Sequence, residues 1–194
     1  MKTPMTPEEC RGQLPGWHSV QKPDEFVECL KRAIAIGARR VIEIGVYMGG
    51  TLRAWQAVLP ENSLIVAIDR SFNPYDHRTE LPTHLSTETI MIESDSQDPN
   101  TLRQVSQLLP DGADVLWIDG GHAYDEVKAD FDNYREFVRR GGLIAFHDIA
   151  ECPTQPWVGV RKFWLELRKE HPDWQFEEII REPLGWGGIG IITV

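Results

Sequence analysis

The sequence predicts a doubly wound α/β domain with a mostly parallel seven-stranded sheet and an antiparallel C-terminal strand. Short apolar runs alternate along the chain with stretches of helical periodicity, a pattern typical of parallel strands covered by helices on both faces. The last two apolar runs flank a glycine-rich turn at residues 185–188. Because so short a connection cannot join parallel strands, the final strand is predicted to run antiparallel.

In the first half of the chain, helix signals and strand signals follow one another closely. Asp24 is a suitable N-cap for a first helix, and Gly37 is a suitable stop, since glycine readily adopts the left-handed conformation found at helix ends. The apolar run at residues 64–68 is too short for a helix and is typical of a buried strand. The predicted elements are a helix at 24–36, a strand at 41–44, a helix between Gly50 and Pro60, and a strand at 64–68.

In the second half, residues 70–87 have no clear period, so a long loop is predicted there, and loops of that length are usually functional. A strong amphipathic pattern predicts a helix over residues 123–140, with Val138 on its apolar face and Gly141 as its end. The other predicted elements are strands at 89–93, 114–118 and 143–146, helices at 100–109 and 158–169, and hairpin strands at 174–180 and 189–194.

The composition is that of one soluble globular domain. A chain of 194 residues can bury a sizeable core but is short for two independent domains. No apolar run approaches the roughly 18 residues needed to cross a bilayer, and the first residues lack the layout of a signal peptide. We therefore expect a single cytoplasmic domain over residues 1–194, in which residues 1–22 form an N-terminal extension that could act as a lid.

The charge and the cysteines exclude several partner classes. A net charge of -10 would repel the phosphodiester backbone, so a nucleic-acid partner is not expected, and neither is a membrane partner. Cys10, Cys29 and Cys152 form no CxxC pair, which argues against disulfides and against a thiolate zinc site. A small-molecule substrate is favoured, and a homo-oligomer remains open.

Candidate ligand-binding residues follow the predicted parallel strands, whose carboxyl ends meet at one edge of such a sheet. Glycines at 45, 49 and 50 follow the first strand with the spacing GxxxGG rather than GxGxxG, which disfavours a nicotinamide dinucleotide. Asp69 follows the second strand, where a carboxylate can accept hydrogen bonds from two ribose hydroxyls. The short polar side chains after the third strand suit an adenine ring: Ser94, Asp95 and Ser96.

Acids and histidines follow the fourth and fifth strands. Asp119 and Asp148 could together hold a divalent cation such as Mg²⁺ or Mn²⁺, with His147 as a further candidate ligand. His122 lies three residues beyond Asp119, and its neutral imidazole can take a proton from a substrate hydroxyl. Two structural interpretations stay open, in which His122 caps the following helix and His147 is a packed group behind the ligands.

The segment VIEIGVYMGGT with the downstream Asp69 resembles the first two motifs of class I S-adenosylmethionine-dependent methyltransferases. The resemblance runs from about residue 24 to the C-terminus and implies a Rossmann-like fold. It also implies that the loop from Gly45 to Gly49 contacts the cofactor, that Asp69 binds ribose and that Asp95 lies near adenine. The candidate cofactor-binding residues are Glu43, Gly45, Tyr47, Gly49, Asp69, Arg70, Ser94, Asp95, Ser96 and Asp119.

The segments IDGGHAYDEVKADF and GGLIAFHD resemble the branch that contains macrolide sugar O-methyltransferases and the cephalosporin-biosynthesis methyltransferase. In that branch a DxxH motif supplies a metal ligand and a general base, and an acidic pair after the next strand completes the metal site. The resemblance implies that Asp119 and Asp148 are ligands and that His122 is the base. This chain departs from the branch at His147, which replaces the first acid of the pair.

The leading functional hypothesis is therefore metal-assisted O-methylation of a small hydroxylated metabolite. Two alternatives remain, namely a non-catalytic protein that binds S-adenosylmethionine or a nucleotide, and a nucleotide-dependent oxidoreductase. Walls for the acceptor are expected from residues 1–22, the 70–87 loop and residues 153–157. Aromatic candidates for those walls are Trp17, Tyr47, Tyr75 and Trp157.

Overall fold

Seven strands form one sheet, in the order β3-β2-β1-β4-β5-β7-β6. The computed structural model describes residues 3–17, 19–71, 87–182 and 185–194. The strands are β1 (Arg40–Ile44), β2 (Leu64–Asp69), β3 (Glu88–Glu93), β4 (Ala113–Ile118), β5 (Val138–His147), β6 (Gln175–Ile179) and β7 (Ile189–Thr193). β1 to β5 pair in parallel, whereas β7 lies antiparallel between β5 and β6. The predicted fold class, with its antiparallel C-terminal strand, is confirmed.

The strand order reverses between β1 and β4. From β1 the chain proceeds outward to β2 and β3, and it then returns to lay β4 and β5 on the other side of β1. Such a reversal leaves a crevice at the carboxyl edge of the sheet, because the connections on its two sides diverge. The candidate site is therefore expected beside the ends of β1 and β4.

Helices cover both faces of the sheet. On one face the core includes Phe26, Trp55 and Trp117, and on the other it includes Phe131 and Phe146. Strand residues alternate between these two cores, since successive side chains of a strand point to opposite faces. The helices are α1 (Pro7–Gln13), α2 (Pro23–Ala35), α3 (Gly50–Val58), α4 (Pro99–Leu108), α5 (Tyr124–Tyr134) and α6 (Val160–Glu170).

The described part of the N-terminal extension is attached to the core. Thr6 caps α1 in a capping box with Glu9, and Pro7 occupies the first helical position, where its missing amide hydrogen costs nothing. Leu14 is fully buried, and the Met5 amide donates to the Ala57 carbonyl at the end of α3. Residues 3–17 thus pack against the same face of the sheet as α2 and α3.

The predicted boundary between α5 and the fifth strand is wrong. α5 ends at Tyr134, and Val138 begins β5 instead of lying on the apolar face of a helix. The paired glycines belong to the strand, where the β4–β5 register shifts between Ala113 and Val115. Gly142 has no room for a side chain there, because a Cβ atom would lie 2.7 Å from Val138 Cγ1. The glycines permit this irregular pairing and do not terminate the helix.

The start of α2 also differs from the prediction. Lys22 occupies the N-cap position without a side-chain hydrogen bond, and Pro23 is the first helical residue. The predicted cap, Asp24, lies in the first turn and pairs with Arg11 instead. Most of the predicted 70–87 loop, including Tyr75, lies outside the described residues. Within the described ranges, none of the helices is both long enough and apolar enough to span a membrane.

Candidate active site

A cavity of about 820 Å³ lies at the carboxyl edge of the parallel strands, at the reversal of strand order. Ten residues singled out in the sequence line it: Gly45, Tyr47, Asp69, Arg70, Ser94, Ser96, Asp119, His122, His147 and Asp148. Three other candidates do not line the cavity, namely Glu43, Gly49 and Asp95. The expected convergence of loops from consecutive strands is therefore present for the described residues.

Gly45 allows the ends of three strands to come together. Its φ is +88°, and its amide donates to the Ile68 carbonyl of β2. A Cβ atom at this position would lie 2.0 Å from the backbone oxygen of Asp119. Both the left-handed conformation and the close approach to the backbone require glycine.

Gly45→Ala is expected to destabilise the fold by roughly 3 kcal/mol, because the methyl group adds a backbone clash to a left-handed conformation that costs about 1–2 kcal/mol. Urea unfolding measures this change. Gly37→Ala is a matched control, since Gly37 also has a positive φ, of +68°, but nothing lies within 4 Å of an added Cβ. Equal losses in the two variants would show that the approach to Asp119 is not what requires glycine at position 45.

The carboxylate of Asp69 organises the loop that follows β1. Its Oδ2 accepts hydrogen bonds from the amides of Val46 at 2.8 Å and Tyr47 at 2.9 Å, and its Oδ1 accepts from Ser71 at 3.1 Å. Tyr47 has a φ of 49°, which is uncommon outside glycine, so these bonds hold it in place. Asp69 therefore shapes the cavity wall as well as lining it.

At the β3 end of the cavity, the buried acid is Asp130 and not Asp95. Asp95 is exposed, and its Oδ2 lies 3.2 Å from Arg70 Nε. Asp130 lines the cavity, is 1% exposed and accepts a 2.6 Å hydrogen bond from the Ser96 hydroxyl. Burial raises the pKa of Asp130 to about 6, although the bond from Ser96 opposes the shift. Tyr134 fixes the same segment by donating to the Ser96 carbonyl at 2.7 Å.

Two acids and two imidazoles form a connected cluster at the ends of β4 and β5. His147 Nδ1 lies 3.0 Å from Asp119 Oδ1 and 3.6 Å from Asp148 Oδ2, while His122 Nδ1 lies 3.0 Å from Asp148 Oδ2. Asp119, His122 and Asp148 each offer one ligand atom, and these atoms all lie within 4.8 Å of one another. Two carboxylate oxygens and an imidazole nitrogen fit a divalent cation such as Mn²⁺ or Mg²⁺.

The pKa values of this cluster reflect its alternating charges. The hydrogen bond to Asp148 raises the pKa of His122, and burial only partly opposes it. Burial lowers the pKa of His147, but the charge of Asp119 and its hydrogen bond outweigh burial, so the net shift is upward. Burial likewise raises the pKa of Asp148, and the bond to His122 reverses this, so the net shift is downward. The ionised form of Asp148 and the protonated forms of His122 and His147 are thus stabilised side by side.

Asp148 is held in an uncommon backbone conformation. Its φ is +62°, in the left-handed region that favours glycine, and its Oδ1 accepts a 2.7 Å hydrogen bond from the Gly187 amide. Strained residues of this kind cluster at functional sites, where the surrounding structure enforces them. The contact with Gly187 also ties the segment that precedes β7 to the cluster.

Two cavity-lining residues, Gln21 and Asp130, are absent from the residues predicted from the sequence, whereas the predicted Glu43 does not line the cavity. Gln21 Nε2 donates to Asp119 Oδ2 at 2.7 Å across 98 residues of chain, and no local pattern indicates such a contact. Glu43 is fully buried, accepts a hydrogen bond from the Thr51 hydroxyl and leaves its Oε2 without a partner among the described residues. Burial raises the pKa of Glu43 to about 8, and the charges of Asp119 and Asp69 add to this shift.

A doubly wound sheet with a ligand-sized cavity at its reversal point and a polar cluster in the cavity wall is the arrangement in which α/β proteins bind ligands. Residues 42–149, more than half of the chain, match a family model described as a methyltransferase domain. The chain therefore belongs to this methyltransferase family. The resemblance found in the sequence is confirmed at this level, and the oxidoreductase alternative is not supported.

The relatives include plant enzymes and a viral protein. The chain is 28% identical to a probable caffeoyl-CoA O-methyltransferase of Arabidopsis thaliana over an alignment of 168 positions, which covers 78% of this chain and 69% of the plant protein. It is 36% identical over 74 residues to the uncharacterized protein R132 of Acanthamoeba polyphaga mimivirus, covering 37% of this chain and 34% of the viral protein. The chain thus spans about two thirds of the plant relative and one third of the viral one.

Among solved structures, the fold resembles that of the MycE methyltransferase from the mycinamycin biosynthetic pathway, determined in complex with Mg and SAH. The TM-score is 0.64 and the identity is 19%, with 98% of this chain and 55% of the MycE chain covered. The chain therefore spans about half of MycE, and at this identity the likeness shows a shared fold.

Proposed function

We propose that this chain is an S-adenosylmethionine-dependent O-methyltransferase that acts on a small hydroxylated molecule with the help of a divalent cation. The observation that carries the proposal is the convergence of Gly45, Asp69 and the cluster around Asp119 on one cavity. In this proposal residues 1–194 form one methyltransferase domain, in which residues 19–21 are part of the cavity wall. The names of the plant relative and of MycE support methyl transfer, and the SAH in the MycE complex supports the cofactor.

The order of strands suggests how the cofactor lies. Ser96 and Asp130 are at the β3 side of the cavity, Asp69 ends β2, Gly45 follows β1, and Asp119 follows β4. A ribose at Asp69 would place adenine toward Ser96 and direct the sulfur toward Gly45. The methyl group would then point to the cluster beside Asp119, where an acceptor hydroxyl can approach it in line.

His122 is the residue best placed to take the proton of that hydroxyl. Asp148 engages its Nδ1 at 3.0 Å and so favours the tautomer in which Nε2 is the free base. The raised pKa of His122, which comes first from this hydrogen bond, makes the neutral ring a stronger base. Two fifths of the His122 side chain is exposed, so the ring is accessible to an acceptor that enters the cavity.

Asp119 and Asp148 would hold the cation with His147 as nitrogen ligand, which leaves His122 available as the base. When bound there, a divalent cation would lower the pKa of an acceptor hydroxyl and orient it. The Mg in the MycE complex supports this part of the proposal. His147 lies close to both Asp119 and Asp148. Its imidazole therefore takes the place that the first acid of the pair has in the branch this chain resembles.

Apolar side chains at the cavity suggest an acceptor with an apolar face. Three of the exposed large hydrophobic residues line the cavity, namely Val20, Tyr47 and Trp186. Trp157, which is 65% exposed, lies two residues beyond the lining residue Gln155. Trp17, an aromatic candidate in the sequence, instead packs against the core.

A methyl-transfer screen tests the proposed function. Purified protein, labelled S-adenosylmethionine and a panel of phenols, catechols, sugars and glycosylated metabolites would be incubated with Mg²⁺, with Mn²⁺ or with a chelator. We expect labelled product from a hydroxylated acceptor and a lower yield with the chelator. Calorimetry with S-adenosylhomocysteine (SAH) and NAD complements the screen, and binding of NAD without SAH would contradict the proposal.

Asp69→Asn is expected to weaken SAH binding by at least tenfold. The amide retains one oxygen for the loop amides but loses the charge and one of the two acceptors that ribose hydroxyls would use. Isothermal titration calorimetry measures the change, and urea unfolding checks that the fold persists. Asp98→Asn is a suitable control, since Asp98 caps α4 outside the cavity lining. An unchanged affinity in Asp69→Asn would remove Asp69 from the ribose site.

A further inference from the structure

We propose that Gln21 recognises the amino-acid half of the cofactor by accepting a hydrogen bond from its ammonium group. This inference rests on the proposed function and assigns a specificity role to a residue of the N-terminal segment. It is carried by a buried side-chain oxygen in the cavity wall that has no partner among the described residues.

The backbone around Gln21 is held firmly against the core. The Ser19 amide donates to the Leu14 carbonyl at 3.1 Å, and the Gln21 amide lies 3.2 Å from the Ser19 hydroxyl. Ser19 in turn packs on Gly50 at the start of α3, where an added Cβ would lie 2.4 Å from Ser19 Cα. Gln21 is therefore presented to the cavity by a fixed support.

The contact with Asp119 determines which way the amide of Gln21 faces. A carboxylate can only accept hydrogen bonds, so the group 2.7 Å from Asp119 Oδ2 must be the NH₂ of Gln21. The carbonyl oxygen Oε1 of Gln21 must then accept a hydrogen bond from another donor. It is buried, on a residue that is only 6% exposed, and within the described chain it meets no donor. Buried acceptors are seldom left unpaired, so a donor on a bound ligand is expected.

The position of Gln21 indicates which part of the ligand supplies that donor. With ribose at Asp69 and adenine toward Ser96, the amino-acid half extends to the side of Asp119, which Gln21 contacts. That half carries an ammonium group and a carboxylate, and only the ammonium can donate. The negative charge of Asp119 beside the carbonyl favours a cationic donor further.

The test compares three ligands that differ in this half. SAH carries both groups, its deaminated analogue carries only the carboxylate, and 5′-methylthioadenosine carries neither. We expect Gln21→Met to weaken SAH binding by about tenfold or more, as for the loss of a hydrogen bond to a charged group. The affinities of the other two ligands should change by less than about twofold. Isothermal titration calorimetry provides these values, and thermal unfolding verifies the fold.

Gln155→Met is the matched control, because Gln155 is a second glutamine in the cavity wall. Its ratio of SAH affinity to deaminated-analogue affinity should equal that of the wild type. Repeating the Gln21→Met comparison in the Asp119→Asn background distinguishes direct binding of the ammonium group by Gln21 from an indirect effect through Asp119. The effect of Gln21→Met should persist there if the carbonyl itself binds the ammonium, and its disappearance would overturn the inference by showing that Gln21 acts only through Asp119.

Four other results would contradict either the role proposed for Gln21 or the proposed function. Equal weakening of all three ligands in Gln21→Met would mean a structural role, and unchanged SAH binding would mean no role in recognition, so either result overturns the inference. A loss of Mn²⁺ affinity without a change in the SAH preference would overturn it as well. Wild-type protein that binds none of the three ligands would instead contradict the proposed function itself.

Discussion

Replacing His122 with alanine is expected to lower methyl transfer by roughly 10²–10⁴-fold, the usual contribution of a positioned general base. Asp148 engages Nδ1 of the ring and so keeps Nε2 available for the acceptor's proton. The variant loses this base but keeps the described walls around Gly45 and Asp69, so its SAH affinity should stay within about threefold of wild type. Initial rates with an acceptor from the screen, together with calorimetry, measure both quantities.

His171→Ala controls for the loss of an imidazole as such. His171 stacks on Trp174 beyond the end of α6, at a ring-centroid distance of 3.8 Å, and does not line the cavity. Its removal should leave the methyl-transfer rate within about twofold of wild type. Full activity in His122→Ala would show that another group removes the proton. A parallel loss of SAH affinity would place His122 in cofactor binding instead.

Glu43→Gln is expected to be more stable than the wild type at pH 8.5, with an advantage that grows as the pH rises. Burial raises the pKa of Glu43 in the folded chain to about 8, from an ordinary value of 4.5. Below pH 4.5 both states bind the proton and ionisation costs nothing. As the pH rises toward 8, the unfolded chain ionises while the folded chain does not, so about 1.4 kcal/mol of stability is lost per pH unit. Glutamine does not ionise, and its oxygen can still accept from Thr51.

Urea unfolding at several pH values measures this difference. The stability gain of Glu43→Gln over wild type should grow by roughly 3 kcal/mol between pH 5.5 and pH 8.5. Glu170→Gln, at the exposed end of α6, should show no such growth. A gain that is the same at both pH values would mean that Glu43 is ionised in the folded protein throughout this range.

The strands and most helices could be predicted from the sequence because their patterns are local. Residues 64–68 and 115–118 are continuous apolar runs whose length is typical of a strand buried on both faces. The helix at Pro7 is not among the predicted elements although a local signal exists, since Thr6 and Glu9 have the spacing of a capping box. Asp24 is a suitable cap by residue type, but Pro23 before it already fits the first helical position of α2.

The end of α5 could not be predicted in the same way. Val138 continues the helical spacing and also suits a strand, so periodicity alone does not separate the two. Its position is decided by pairing with Ala113 of β4, a tertiary contact that overrides the local pattern. Of the two glycines that follow, Gly142 has no room for a Cβ atom beside the backbone oxygens of Asp114 and Arg139, and Gly141 has a φ of +78°, reasons that the sequence does not show.

Candidate site residues were predictable where they directly follow a strand. Gly45, Asp69, Asp119 and His147 fall at strand ends, and parallel topology brings such positions to one edge. Gln21 and Asp130 belong to elements whose approach to the cavity depends on packing, so no strand end marks them. Asp130 lies three residues after Val127 and four before Tyr134, so helical spacing places it on the buried face of α5, where it accepts the hydrogen bond from Ser96.

The place of β7 in the sheet has a consequence for the nascent chain. β6 pairs with β7, and β7 also covers the outer edge of β5, so neither contact exists until residues 189–193 have left the ribosome. Until then β5 presents free hydrogen-bonding groups that another chain can pair with. Gly187, which secures Asp148, is synthesised just before β7. Chaperone binding and aggregation during translation should therefore be greatest for nascent chains that already contain β5 but do not yet contain β7.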